Sequence, residues 1–301
     1  MQYLFKKKSK NDKIAIILTK YAHMVIMLLV QTNLIKGGAL MYELMKLTAW
    51  GMEKPKPYHA FHLIFVIVGL SLCVFLAWLF RKASEKTNKI ILVSCGAFLV
   101  ITEIYKQLFY TFYIGGGDYQ WWIFPFQLCS VPMYLCLIAP FIKKESVRGW
   151  LYTFLATYNL VGGFISLFEP SGLCHEYVTL TLHAFVWHIM LVFIGFYLIA
   201  SGRAGKRLID FLPSIGVFGV LAIFAQIINF KFGDRGVNMF YISLLRDTPL
   251  AVFKDITLAT NRFVNMIVYM LALTLGAFVF FVIGLYLRKL IEYIKEKRKA
   301  K

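Results

Sequence analysis

Two side chains in this sequence could carry out covalent chemistry together. Cys129 lies in "FPFQLCSVPMYLC", Phe124 to Cys136, and His183 lies in "LTLHAFVWH". A thiolate is a strong nucleophile, and a neighbouring imidazole can generate it. Acyl transfer through such a pair also needs donors for the developing oxyanion, and Gln127, Asn159 and Asn229 are candidates. Pro132, three residues beyond Cys129, lacks an amide N–H, so a kink is expected that bares the Leu128 carbonyl beside the thiol. The bland readings compete: a buried cysteine is often a small hydrophobe, and a membrane histidine often hydrogen-bonds between helices. Cys73, Cys95 and Cys136 are read as packing residues.

A second group is carried by one helical face. Glu103, Lys106, Gln107 and Tyr110 are spaced i, i+3, i+4, i+7. Pairing of Glu103 with Lys106 lowers the cost of both in an apolar setting; a proton or ion path is the other use of such a pair. "HAFH" offers His59 and His62 as two metal ligands without a third, so no metal site is expected. "IGGGD", Ile114 to Asp118, lacks the Lys and Ser/Thr of a phosphate loop and reads as a turn. The five cysteines show neither a disulfide framework nor a Cys-x-x-Cys pair.

The elements that must position these residues are membrane helices. Hydrophobic residues make up 59% of the 301 and charged residues 16%, with a mean hydropathy of +0.68. Apolar runs near the ~20 residues needed to cross a bilayer fall at 60–80, 90–113, 122–142, 151–168, 178–200, 212–230 and 264–288. The fold class is all-α, a polytopic transmembrane bundle of seven core helices. An N-terminal eighth candidate at 14–35 is interrupted by Lys20, His23 and Gln31, which fall on one face, so it is either a span with that stripe turned inward or an amphipathic interfacial helix.

The net charge of +18 does not indicate nucleic acid, because of where it lies. Arg81, Lys82, Lys86 and Lys89 follow the first core span; Lys143, Lys144 and Arg148 the third; Arg203, Lys206 and Arg207 the fifth. Loops 114–121 and 169–177 hold no Lys or Arg. This positive-inside pattern puts the C-terminus in the cytoplasm of a multi-pass cell-membrane protein. The Lys6 to Lys13 cluster belongs on that side too, which favours the extra span.

Depth then connects the chemistry. At ~1.5 Å per residue, Cys129 lies ~10 Å and His183 ~8 Å below the outer ends of their spans. Glu103, Gln107, Gln127, Asn159 and Asn229 share that outer half. The expectation is a polar cavity open to the outer leaflet, beneath which the bundle is more uniformly apolar.

The order of these features resembles the YwaF family of bacterial integral membrane proteins, related to the eukaryotic transmembrane protein 164 family. Matching positions are His62 in "HAFHLIFVI", Glu103, "FPFQLCS", His183, and, loosely, Asn238 in "GVNMFYISLLRDTP". Gln127 stands where the family pattern favours His, and Met239 where it favours Tyr. The resemblance covers about 58–288. It implies a basic N-terminal region, 1–57, a membrane domain, 58–290, and a basic cytoplasmic tail, 291–301. Eukaryotic relatives are implicated in acyl transfer to lysophospholipids through a Cys and a His, which carries over to Cys129 as nucleophile and His183 as base. It also implies membrane phospholipid or lysophospholipid as partner and no cofactor. His62, Glu103, Lys106, Gln107, Gln127, Asn159, Asn229 and Asn238 are then the expected cavity or substrate-binding residues. The alternatives are a small-solute transporter or channel, and a non-catalytic membrane scaffold.

Overall fold

The computed structural model of the protein describes residues 38–299. The expected span at 14–35 lies outside them. The described residues form a polytopic helix bundle without a β-strand. Its elements are α1 (Gly38–Lys46), α2 (Ala60–Leu79), α3 (Glu85–Leu108), α4 (Leu128–Phe141), α5 (Glu145–Ala156), α6 (Tyr158–Phe168), α7 (Val178–Ala200), α8 (Leu212–Phe232), α9 (Ala251–Ala259) and α10 (Arg262–Lys299). Six helical stretches are long and apolar enough to cross a membrane: Ala60–Leu79, Glu85–Ile114, Glu145–Phe168, Val178–Ala200, Leu208–Arg235 and Arg262–Ile291.

The third expected span is different. Residues 122–142 do not form one helix; the helix begins only at Leu128 and ends at Phe141. Its first three residues are a 3-10 turn, and Pro132 lies in the first turn of the α-helix proper, Val131–Ile138, where a missing N–H leaves no hydrogen bond broken. It therefore starts a helix and does not kink one, and the Leu128 carbonyl accepts from Val131 N. The backbone before it is irregular and finds partners elsewhere. Gln107 Nε2 donates to Ile123 O at 2.7 Å, and Tyr134 Oη donates to Pro125 O at 2.7 Å. Unwound backbone at membrane depth survives only where such partners or a cavity receive it.

Two further departures from straight helix position the site. The last turns of the second crossing, Phe109–Ile114, widen to a π-helix, a feature common near functional sites. The Glu145–Phe168 crossing breaks at Thr157, whose φ and ψ are −128° and −77°. Thr157 Oγ1 donates to Thr153 O, and Asn159 Nδ2 donates to Leu155 O. These side chains supply donors to carbonyls that the broken ladder leaves.

α7 is the central post. It packs along α2 and α6 and also meets α3 and α5. In its apolar stretch 56% of residues are buried, against 28% in α2 and 22% in the last crossing. Small residues let the helices close: a Cβ on Gly69 of α2 would stand 2.3 Å from Ile189 Cδ1 of α7. Residues such as Ile64, Ile67, Leu271 and Leu275 remain exposed, an apolar girdle that lipid covers in a membrane protein.

The basic end of the bundle is tied by Arg203, which donates to Ala83 O at 2.7 Å and pairs with Glu85 at 3.0 Å. Contrary to expectation, this half is not uniformly apolar. Buried Asn88 donates to Tyr152 Oη and accepts from Tyr197 Oη, a network closed on itself. At the opposite end, Met52 N donates to Glu176 O and Val178 N to Trp50 O.

A candidate thiol–imidazole site

A cavity of about 520 Å³ opens at the end opposite the basic loops. Cys129 lines it from the first turn of α4, half-buried. The start of a helix presents unsatisfied N–H groups and the positive end of its dipole, both of which favour a thiolate. Irregular backbone ahead of Leu128 thus leaves the thiol at a helix terminus inside the bundle, not on the flank of a continuous helix.

α7 brings the imidazole. Trp187 Nε1 donates to Cys129 O at 3.0 Å, and the His183 ring lies 5.4 Å from the Trp187 ring, one turn back. His183 also lines the cavity, and its Nε2 is buried without a hydrogen-bond partner among the described residues. Lys106 lines the cavity as well, with Nζ 2.8 Å from Glu103 Oε2. The expected ion pair therefore forms, with its cation facing the cavity.

Two histidines not singled out from the sequence share this space. His188 Nδ1 lies 2.7 Å from Ala184 O. A carbonyl only accepts, so Nδ1 carries the proton and Nε2 of the neutral ring is a base. His175 enters from the loop before α7; burial, then Lys54 and Lys106, hold it neutral by lowering its proton affinity. The sequence signal for His188 was present in "LTLHAFVWH", but neighbours at 183 and 188 are not obviously on one side of a helix. Among the described residues no cluster of three His, Cys, Asp or Glu could hold a metal ion.

The cavity is capped by the loop between α8 and α9, which two amide side chains grip. Gln127 Nε2 donates to Asn238 O at 2.9 Å, and Phe240 N donates to Gln127 Oε1 at 2.9 Å. Asn229 Nδ2 donates to Met239 O at 3.1 Å, while Met239 N donates to Asn229 Oδ1. Asn238 closes the loop on itself, donating to Asp247 O and accepting from Ser243 N. Between these anchors Phe240 and Tyr241 both have φ of 57°. Left-handed backbone costs ~1–2 kcal/mol for each such residue, a strain that the double grip holds in place.

Of the residues expected at the cavity, Cys129, His183, Lys106, Gln127 and Asn238 line it together. Glu103 and Gln107 face a separate space of about 30 Å³. His62 is a tie between helices: Nδ1 accepts from Tyr58 N, and Nε2 donates to Leu167 O at 2.8 Å. Asn159 donates its two amide hydrogens to Leu155 O and Leu191 O, at 2.9 and 2.8 Å. Asn159 and Asn229 therefore have both amide hydrogens engaged, Asn229 by Met239 O and Gln226 Oε1, and are not placed as oxyanion donors, whereas Gln127 has one hydrogen engaged, by Asn238 O.

A bundle of membrane-crossing helices with a thiol, imidazoles and a paired lysine around one end cavity defines the class. Residues 56–287 match the model of the TMEM164 family. With most of its length matched, the chain belongs to that family. No curated protein and no solved structure matches it.

Proposed function

We propose that this protein transfers or hydrolyses lipid acyl chains, with Cys129 as nucleophile and His183 as base. The observation that carries the reading is the shared cavity: a thiol at a helix N-terminus and an unpartnered imidazole nitrogen line the same space, and Trp187, one turn from His183, donates to the Cys129 carbonyl. His183 takes the thiol proton, the sulfur forms a thioester, and the same imidazole then activates an acceptor hydroxyl or water. The bacterial YwaF-type resemblance and its implied phospholipid or lysophospholipid substrate belong to this reading. So does its orientation, with the cavity toward the outer leaflet of the cell membrane and the basic end in the cytoplasm.

A solute pathway is the second reading, because a helix that starts inside the bundle resembles the discontinuous helices of transporters. Below the cavity, however, such a path meets Leu99, Met133 and Leu155, each with no solvent exposure.

Whole-cell lipid profiling of wild type, Cys129→Ala and His183→Ala tests the proposal. Both variants are expected to shift the same acyl species in the same direction. Unchanged profiles, with a thiol-directed acyl probe failing to label Cys129, would end it in favour of transport or a scaffold.

A further inference from the structure

Attack by sulfur on an ester carbonyl places a negative charge on the carbonyl oxygen, and that charge needs donors already in position. Of the side-chain amides suggested by the sequence, Asn159 and Asn229 have both hydrogens engaged, and Gln127 is fixed by two hydrogen bonds to the capping loop. A different side chain fits the requirement. Tyr241 lines the same cavity as Cys129 and His183. No hydrogen bond joins its hydroxyl to another described residue.

Its position is strongly determined. Tyr241 follows Phe240 in left-handed backbone, and the loop is held before that turn at Met239 and Phe240 and after it by Ser243 N donating to Asn238 Oδ1. One of the two grips is Gln127, two residues before the nucleophile. The same short segment therefore carries the thiol and fixes the loop that carries the phenol. Burial, with the Cys129 sulfur nearby as the next cause, raises the Tyr241 hydroxyl to about 12, so it remains a donor at neutral pH.

We infer that Tyr241 is a further catalytic residue, the hydrogen-bond donor to the oxyanion formed when Cys129 attacks an acyl ester; the inference rests on the acyl-transfer reading above. In the step, Cys129 Sγ bonds to the carbonyl carbon, the thiol proton passes to His183, and the C=O π pair moves onto oxygen. Collapse restores the carbonyl and breaks the ester C–O bond, and the departing alcohol takes the proton from His183. The phenol proton stays on Tyr241 throughout.

The test separates reactions that form an oxyanion from one that does not. Full-length protein in lipid nanodiscs is treated with p-nitrophenyl butyrate, which acylates a thiol through a tetrahedral intermediate. In parallel it is treated with methyl methanethiosulfonate, which a thiol attacks at sulfur. Mass spectrometry of the Cys129 peptide gives both rates. Tyr241→Phe, which keeps the ring, is expected to slow acylation ~100-fold, the usual effect of losing one such donor, with unchanged thiosulfonate labelling. Acylation within about threefold of wild type overturns the assignment to Tyr241 while leaving the Cys129–His183 reading intact. Parallel loss of both rates also overturns it, by showing that the variant disturbs the thiol or the loop. Absence of acylation in wild type, with thiosulfonate labelling present, overturns the acyl-transfer reading itself.

Discussion

Gln127 shows how one side chain can serve a site without touching the reacting atoms. Its amide offers a donor and an acceptor on the same planar group, and the loop backbone takes both. A substitution that removes them leaves a buried carbonyl and a buried N–H without partners, at ~1–3 kcal/mol. Gln127→Met is therefore expected to lower thermal stability in detergent by that amount and to slow acylation of Cys129. A thermal melt at wild-type value with wild-type acylation would contradict the clamp. The identity of this residue was legible in the sequence, and its role was not. Gln127 lies two residues from Cys129, which suggested a donor to substrate. Its true partners are more than a hundred residues away, and no local pattern encodes such a pairing.

At the scale of helices, the seven core spans read from hydropathy correspond to six long crossings and the shorter Leu128–Phe141 helix, and hydropathy failed where backbone conformation matters most. Residues 122–142 are mostly apolar on either side of Gln127 and Ser130, so nothing in their transfer energy marks the point at which the helix begins. The mark is conformational: Pro125 and Pro132 flank the nucleophile, and Pro132 occupies a first turn. Side-chain donors from other elements, Gln107 and Tyr134, then stabilise the unwound stretch. His62 makes a similar point. Its position at the start of α2 was visible, but its ring joins α2 to the end of α6 and does not face the cavity. His62→Phe removes both bonds and is expected to cost ~1–3 kcal/mol in melting experiments while Cys129 labels at its usual rate. Loss of labelling in a normally stable variant would instead make His62 part of the chemistry.

For the molecule as a whole, the asymmetry of its two ends is the most informative property. One end holds Arg203, Lys206, Arg207 and the charges after α4; the other holds the cavity and the gripped loop. Basic residues following alternate helices revealed this from sequence, because charge placement is a property of order along the chain. In the proposed orientation, which follows the positive-inside rule, the basic end faces the cytoplasm. Reporter fusions after residue 50 and after residue 301 are expected to report opposite sides, with the latter cytoplasmic; the same side for both would require an even number of crossings between them.

The short helix α4 also acts as a ruler. Leu128–Phe141 measures about 21 Å at 1.5 Å per residue, and Lys143 and Lys144 follow it directly. The hydrocarbon layer is ~30 Å thick, so the thiol end stops ~9 Å short of the far boundary. A lipid ester resting at that boundary must sink by about this distance to reach Cys129, drawing its polar head down with it. In the proposed reaction, head-group bulk, rather than acyl-chain length, would then limit which lipids descend far enough to react.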